Sequence, residues 1–268
     1  MAELKIKAIK AGRLIDGTGA AVVNDATILI ENTKIKTVGT NIAIPKGAEI
    51  IDASGKTVMP GMIDAHMHCD GPKTNDTFME KISRPREIGL IKAIFDAKYF
   101  LSRGFTTIKS CGGINGVLLK QAIAEGVVTG LPRLVASGYM LQNTLGSPYK
   151  YMAPEYVDGR TSKLVGSPGG EAIFCDGVDE CIKATRYTLG RGSDFVKIWP
   201  RRGSMFNQDE LKAIVQAAGQ VGKFVGVHCE SSKDSKEAIA GGQNYRTCFW
   251  NRGGCGGNRY QSRGYIHI

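Results

Sequence analysis

Two histidines two positions apart, His66 and His68, close the apolar run Val58-Met-Pro-Gly-Met-Ile-Asp-Ala-His-Met-His68. Alternate side chains of a strand share one face, so a strand ending here turns both imidazoles the same way. At roughly 3.3 Å of rise per residue their backbones lie about 6 to 7 Å apart. That spacing lets both lean onto one metal ion at Zn–N distances of about 2.0 to 2.1 Å. Two later apolar runs carry further groups: Lys197 within Asp194-Phe-Val-Lys-Ile-Trp199, and His228 at the end of Phe224-Val-Gly-Val-His228. A lysine inside an apolar strand is unusual, because a buried cation costs several kcal/mol unless it is paired or neutralised. From the residues alone Lys197 reads as a snorkelling or ion-paired lysine. Asp64 shares the face of His66 one layer deeper and reads as a supporting or packing residue rather than a ligand. Cys229 and Glu230, after His228, read as loop residues with no direct role.

These residues need elements to hold them. Residues 4 to 58 alternate short β-type runs (Leu4 to Ile9, Ala26 to Ile30, Lys34 to Val38, Ala48 to Ile51) with turn signals, among them Ser54-Gly55, and form a small all-β unit. From the histidine strand onward the pattern changes. Helical spacing over Pro85 to Arg103 precedes a strand at Phe105-Thr-Thr-Ile108 and the turn Gly112-Gly113. A helix over Val117 to Glu125, a strand at Arg133 to Ala136 and a Gly-, Pro- and Ser-rich insertion over residues 138 to 177 follow. Then come helix Val178 to Leu189, strand Asp194 to Trp199, helix Gln208 to Val221 and strand Phe224 to His228. Five strands alternating with helices predict a parallel sheet, doubly wound or part of an eight-stranded barrel. Chemistry-bearing groups at strand C-termini favour the barrel.

The whole chain sets outer bounds. Its 268 residues suffice for one large α/β domain, or a barrel fragment with a small accessory domain. No run of 18 or more apolar residues occurs and the N-terminus lacks the apolar core of a signal peptide, so the expected location is cytoplasmic, with no membrane partner. Seven cysteines without Cys-x-x-Cys spacing argue against a disulfide framework or a thiolate zinc site. The net charge of +10 is dispersed, apart from Arg246, Arg252, Arg259 and Arg263 in an acid-free tail, so nucleic acid is not the expected partner and a basic binding module is the weakest of the readings. The sequence leaves room for a homo-oligomer.

Taken together, several segments carry a resemblance. They are Pro60-Gly-Met-Ile-Asp-Ala-His-Met-His68, Gly104-Phe-Thr-Thr-Ile108 with Gly112-Gly113, Pro132-Arg-Leu-Val-Ala-Ser-Gly138, Cys175-Asp-Gly-Val-Asp-Glu-Cys181, Asp194-Phe-Val-Lys-Ile198 and Val225-Gly-Val-His228. From about residue 4 to about residue 240 the chain resembles the metal-dependent amidohydrolase superfamily, in its imidazolonepropionase-like and Xaa-Pro dipeptidase-like group. The resemblance implies an N-terminal β-sandwich portion over 1–58 and a (β/α)8 TIM-type barrel over 59–241, with about five of its strands present. It also implies that His66 and His68 bind one divalent ion, that a carbamate on Lys197 bridges two, and that His228 binds the second. Zinc is the expected ion, with manganese, cobalt or iron also compatible with the donors. Lys197 then carries catalytic as well as metal-holding weight. The implied chemistry is hydrolysis of a carbon–nitrogen bond in a small molecule, either a cyclic amide of the imidazolone type or a small dipeptide. Tyr139 and Arg202, near strand ends, read as ordinary loop residues or, alternatively, as contacts to a substrate carboxylate or carbonyl.

The chain departs from that pattern in three places. Ser110 stands where relatives carry an acid, and Thr144-Leu-Gly-Ser147 stands where they carry a Gly-Gly-His run. After Gly241 the expected Gly-Val-x-x-Ile-Glu-His is replaced by Gly242-Gln-Asn-Tyr-Arg-Thr-Cys-Phe-Trp250. Reading the codons for 242 to 252 one base later permits Val-Lys-Thr-Ile-Glu-His-Ala-Phe-Gly-Ile, so residues 242–268 are expected to be an aberrant, frameshifted tail. An incomplete barrel is expected to be inactive as it stands. The alternative function is a non-catalytic truncated barrel that retains a vestigial metal site.

Overall fold

The computed structural model describes residues 5–69, 85–146, 172–200, 206–229, 232–240 and 245–249. The chain divides into two compact units, Met1–Met62 and Ile63–Ile268.

In the first unit, strands β1 (Ile6–Leu14), β2 (Val23–Glu31), β3 (Lys34–Gly39) and β4 (Glu49–Val58) form one sheet in the order β3-β2-β1-β4. Strand β1 pairs antiparallel with β2 and parallel with β4. Ala11, Leu14, Ala26 and Ile28 make its core, with Val58 packed alongside. The described residues supply a single sheet here, not the two layers of a sandwich. Ser54-Gly55 does not end β4 as its turn composition suggests. The β1–β4 register slips between Ala11 and Arg13, and the extra residues bulge where Gly12 meets the Ser54 carbonyl. A Cβ on Gly12 would lie 2.0 Å from that oxygen, so only glycine fits.

The second unit alternates strands with helices: β5 (Met62–Met67), α1 (Arg86–Ser102), β6 (Phe105–Ser110), α2 (Asn115–Ala124), β7 (Arg133–Ala136), β8 (Met140–Gln142), β9 (Ala172–Phe174), α3 (Val178–Gly190), β10 (Val196–Ile198), α4 (Gln208–Gly219), β11 (Val225–Cys229), α5 (Ser232–Ala240) and β12 (Tyr245–Phe249). The strands form two sheets, ordered β5-β6-β7 and β12-β11-β10-β8-β9. The pairings β6–β7, β8–β9, β8–β10, β10–β11 and β11–β12 are all parallel. Helical crossovers between parallel strands are the TIM-type α/β pattern, although the described strands do not close into a barrel.

Three strands exceed the five expected. Strands β8 and β9 lie at the two ends of what composition marks as an insertion, and β12 lies in the stretch expected to be aberrant. There Cys248 stands in register with His228. Cys229, expected in a loop, is the last residue of β11 and is buried.

The two sheets share one stretch of chain. Strand β7 pairs with β6, the chain bends at Gly138, and β8 pairs with β10. Gly138 has φ +64°, and a Cβ there would meet Ser193 Oγ at 2.4 Å. Asp194 fastens this bend. Its amide donates to the Ala136 carbonyl (2.7 Å), its carboxylate accepts from the Ala136 amide (2.9 Å), and Lys120 Nζ of α2 donates to the same carboxylate (2.8 Å). On the helix side, Asn207 caps α4 by accepting from the Asp209 and Glu210 amides, while Glu210 accepts from the Asn207 and Gly177 amides. One buried carboxylate thereby ties the start of α3 to the start of α4.

Candidate metal centre

Strand periodicity sorts the side chains of the second unit into two faces. Tyr139 and Leu141 of the β8 segment, Val196 and Ile198 of β10, and Val225, Val227 and Cys229 of β11 pack into one core with Cys181 and Ala184 of α3 and Leu211 and Ile214 of α4. Met67 of β5 and Ile108 of β6 pack into a second core with Ala93 and Ala97 of α1 and Leu119 of α2. The intervening residues therefore turn to the face away from the helices.

That face is layered by register. At its base Lys109 Nζ lies over the rings of Phe195 (4.7 Å) and Phe224 (5.4 Å), which stack on each other. One layer toward the strand C-termini, Lys197 stands opposite Met140 on one side and Gly226 on the other. One layer further come Gln142, Trp199 and His228. The Trp199 amide donates to the Leu141 carbonyl (2.9 Å), and the Trp199 and His228 rings meet edge to face at 6.3 Å.

On β5 the rings of His66 and His68 lie 5.6 Å apart, tilted by 41°. Close packing joins them to the Lys197 layer. A Cβ on Gly112 would sit 2.5 Å from Met140 Sδ and 3.1 Å from His68 Nδ1. Gly112 thus serves close approach beside the histidine rather than only a turn, and Met140, directly opposite Lys197, reaches toward His68. Asp64 accepts from the His66 amide (3.0 Å), a supporting role along its own strand.

Lys197 is 1% exposed in a strand whose neighbours are also buried. Two imidazoles side by side and a buried lysine on the same face fit a divalent ion chemically, since conversion of the amine to a carbamate would replace a costly cation by an oxygen donor. Histidine, cysteine and carboxylate side chains by themselves do not gather three to a site among the described residues. His228 lies beside Trp199 in the outer layer of the same face. Tyr139 lies on the opposite face, 7% exposed with its ring 6.0 Å from that of Tyr187 of α3, and its place is a packing one. Arg202 lies outside the described residues. Ser110 is wholly buried, where its Oγ accepts from the Cys69 amide (3.3 Å) under Gly116 of α2.

The sequence pattern of the amidohydrolase family matches residues 57–250, the stretch that contains all of these groups. The chain belongs to the amidohydrolase family. An Aspergillus niger ochratoxinase is 29% identical over 264 residues, covering 90% of this chain and 53% of its own. Its crystal structure superposes with a TM-score of 0.77 at 26% identity, over 90% of this chain and 59% of that one. The crystal structure of a Xaa-Pro dipeptidase with bound methionine in the active site gives a TM-score of 0.78 at 28% identity, over 89% of this chain and 60% of that one. A prolidase complexed with N-methylphosphonate-L-proline gives 0.74 at 26% identity, over 89% and 59%. The chain therefore spans little more than half the length of these amidohydrolases.

Met140, Gln142 and Trp199 went unread in the sequence as members of this face. The only available signal was that each stands an even number of residues from a group already singled out or from its strand neighbour. A three-residue strand between Gly138 and Thr144 offers too little period to read.

Proposed function

We propose that the chain carries the metal-holding part of a carbon–nitrogen hydrolase that acts on a small amide or dipeptide. The observation that carries this reading is the common face shared by the His66–His68 pair and buried Lys197. Family membership and the prolidase and ochratoxinase relatives support it. His66 and His68 would hold one divalent ion. Lys197, as a carbamate formed from carbon dioxide and its neutral amine with loss of one proton, would supply oxygen donors, and His228 would complete the outer layer. A bound ion, zinc in this reading, would polarise the scissile carbonyl and lower the pKa of a water molecule. Gly112 and Met140 hold the His68 ring in place, and Trp199 covers the side of His228. Cys69, Cys111, Cys175, Cys181 and Cys229 are buried and none forms a disulfide, which suits a reducing compartment such as the cytoplasm. Among the described residues no helix is long and apolar enough to cross a membrane.

The test is metal content by elemental analysis after loading the 268-residue chain with zinc and bicarbonate. About one to two ions per chain are expected. His66→Ala, His68→Ala and Lys197→Met each lower that number, and Tyr139→Phe leaves it unchanged. A metal-free chain under these conditions overturns the reading. A second reading, a non-catalytic barrel with a residual metal site, is favoured by one observation: no three His, Cys, Asp or Glu side chains cluster among the described residues. Stoichiometric zinc with no hydrolysis of Xaa-Pro dipeptides or N-acyl amino acids would select it.

A further inference from the structure

Of Gln142, Trp199 and His228 in the outer layer of this face, Gln142 is the one whose chemistry nothing above uses. It ends β8, is 2% exposed, and its Nε2 is buried with no hydrogen-bond partner among the described residues. A buried amide donor left unmade is destabilising, so native proteins rarely keep one without a use. Its direction follows from alternation. Leu141 packs into the helix-side core, and Met140, two residues before Gln142, reaches Gly112 and the His68 ring. Gln142 therefore projects from the Met140 face, one layer nearer the strand C-termini than Lys197 and level with Trp199 and His228. That is the mouth of the proposed metal centre.

We infer that Gln142 is a substrate-positioning residue whose Nε2 donates to an uncharged carbonyl oxygen of the substrate next to the scissile bond. This inference rests on the hydrolase reading. The free group is a donor, so its partner must be an acceptor, which a substrate ammonium cannot be. It is also uncharged and buried, and a neutral amide oxygen enters such a place at far lower desolvation cost than a carboxylate. The substrate class this points to is an N-acylated amino-acid amide, with a second neutral carbonyl beside the bond that is cut.

The probe is N-acetyl-L-prolinamide, added to the zinc-loaded 268-residue chain. Its affinity is read by calorimetry, and the Gln142 side-chain amide is read by nitrogen NMR, assigned by its loss in Gln142→Leu. The expected result is a shifted Gln142 resonance on binding and about tenfold weaker binding by Gln142→Leu and Gln142→Glu. Without the probe, Gln142→Leu removes an unmade donor at similar volume, so its Tm should rise by about 2–4 °C. A purely structural glutamine would give the opposite sign. A fall in Tm for Gln142→Leu, an unchanged probe affinity, or no binding at all by a chain that holds zinc each overturns the assignment. Failure to hold zinc would instead count against the hydrolase reading, and the Tm comparison would still decide whether Gln142 has an internal partner.

Discussion

Cys175 and Cys181 bring two buried sulfurs to 3.8 Å at the start of α3. The hydrogen bond with Cys181 comes first, and burial next, in pushing the Cys175 thiol well above the ordinary range. The folded chain keeps this proton where the unfolded chain releases it, above about pH 8.5. The folded state then binds more protons than the unfolded one, so this thiol makes stability fall as pH rises through that value, and the contribution is intact below it. Urea midpoints compared at pH 7 and pH 9.5 should show the fall, and Cys175→Ala should reduce it. Iodoacetamide should label Cys175 slowly in the native chain and rapidly in denaturant, because the thiolate is the reactive form.

At the scale of elements, the site depends on how β8 and β10 are held in register, since one residue of slip would exchange the Lys197 face for the Ile198 face. Both strands are only three residues long, and their own ladder is too short to secure them. Asp194 provides the missing constraint through the Ala136 amide and Lys120. Asp194→Ala leaves the Ala136 amide without its acceptor and should cost about 1–3 kcal/mol, read as a lower urea midpoint at unchanged slope. It should also weaken zinc binding although Asp194 touches no ligand. If stability falls and zinc binding does not, the register is secured elsewhere. The composition of residues 138 to 177 conceals β8 and β9 for the same reason: strands this short are made by pairing rather than by propensity.

At the scale of the molecule, the described strands of the second unit form two sheets, β5-β6-β7 and β12-β11-β10-β8-β9, that do not close into a barrel. Helix α1 carries a row of exposed apolar residues, Ile88, Ile91, Phe95 and Tyr99, at helical spacing, with Ile91 61% exposed. A row of this kind favours association. Sedimentation should show self-association that grows with concentration, and Ile91→Glu should reduce it without changing zinc binding. Equal association by the variant would place the sticky surface elsewhere.

The amino-acid order by itself determined helices α1 to α4, the longer strands and the pairing of His66 with His68 on one face, because periods of 2 and 3.6 are local properties of the backbone, whereas the short, polar α5 was not read from it. It also marked Lys197, because a charge within an apolar run is visible without any knowledge of partners. Only the tertiary structure decided which groups share a layer. Tyr139 and Gln142 lie three residues apart in one unremarkable stretch, yet one packs on Tyr187 and the other looks over the Lys197 layer. That difference is set by the bend at Gly138 and by hydrogen bonds to β10, a strand more than 50 residues later in the chain. Contacts between residues so far apart in sequence leave no local pattern to read.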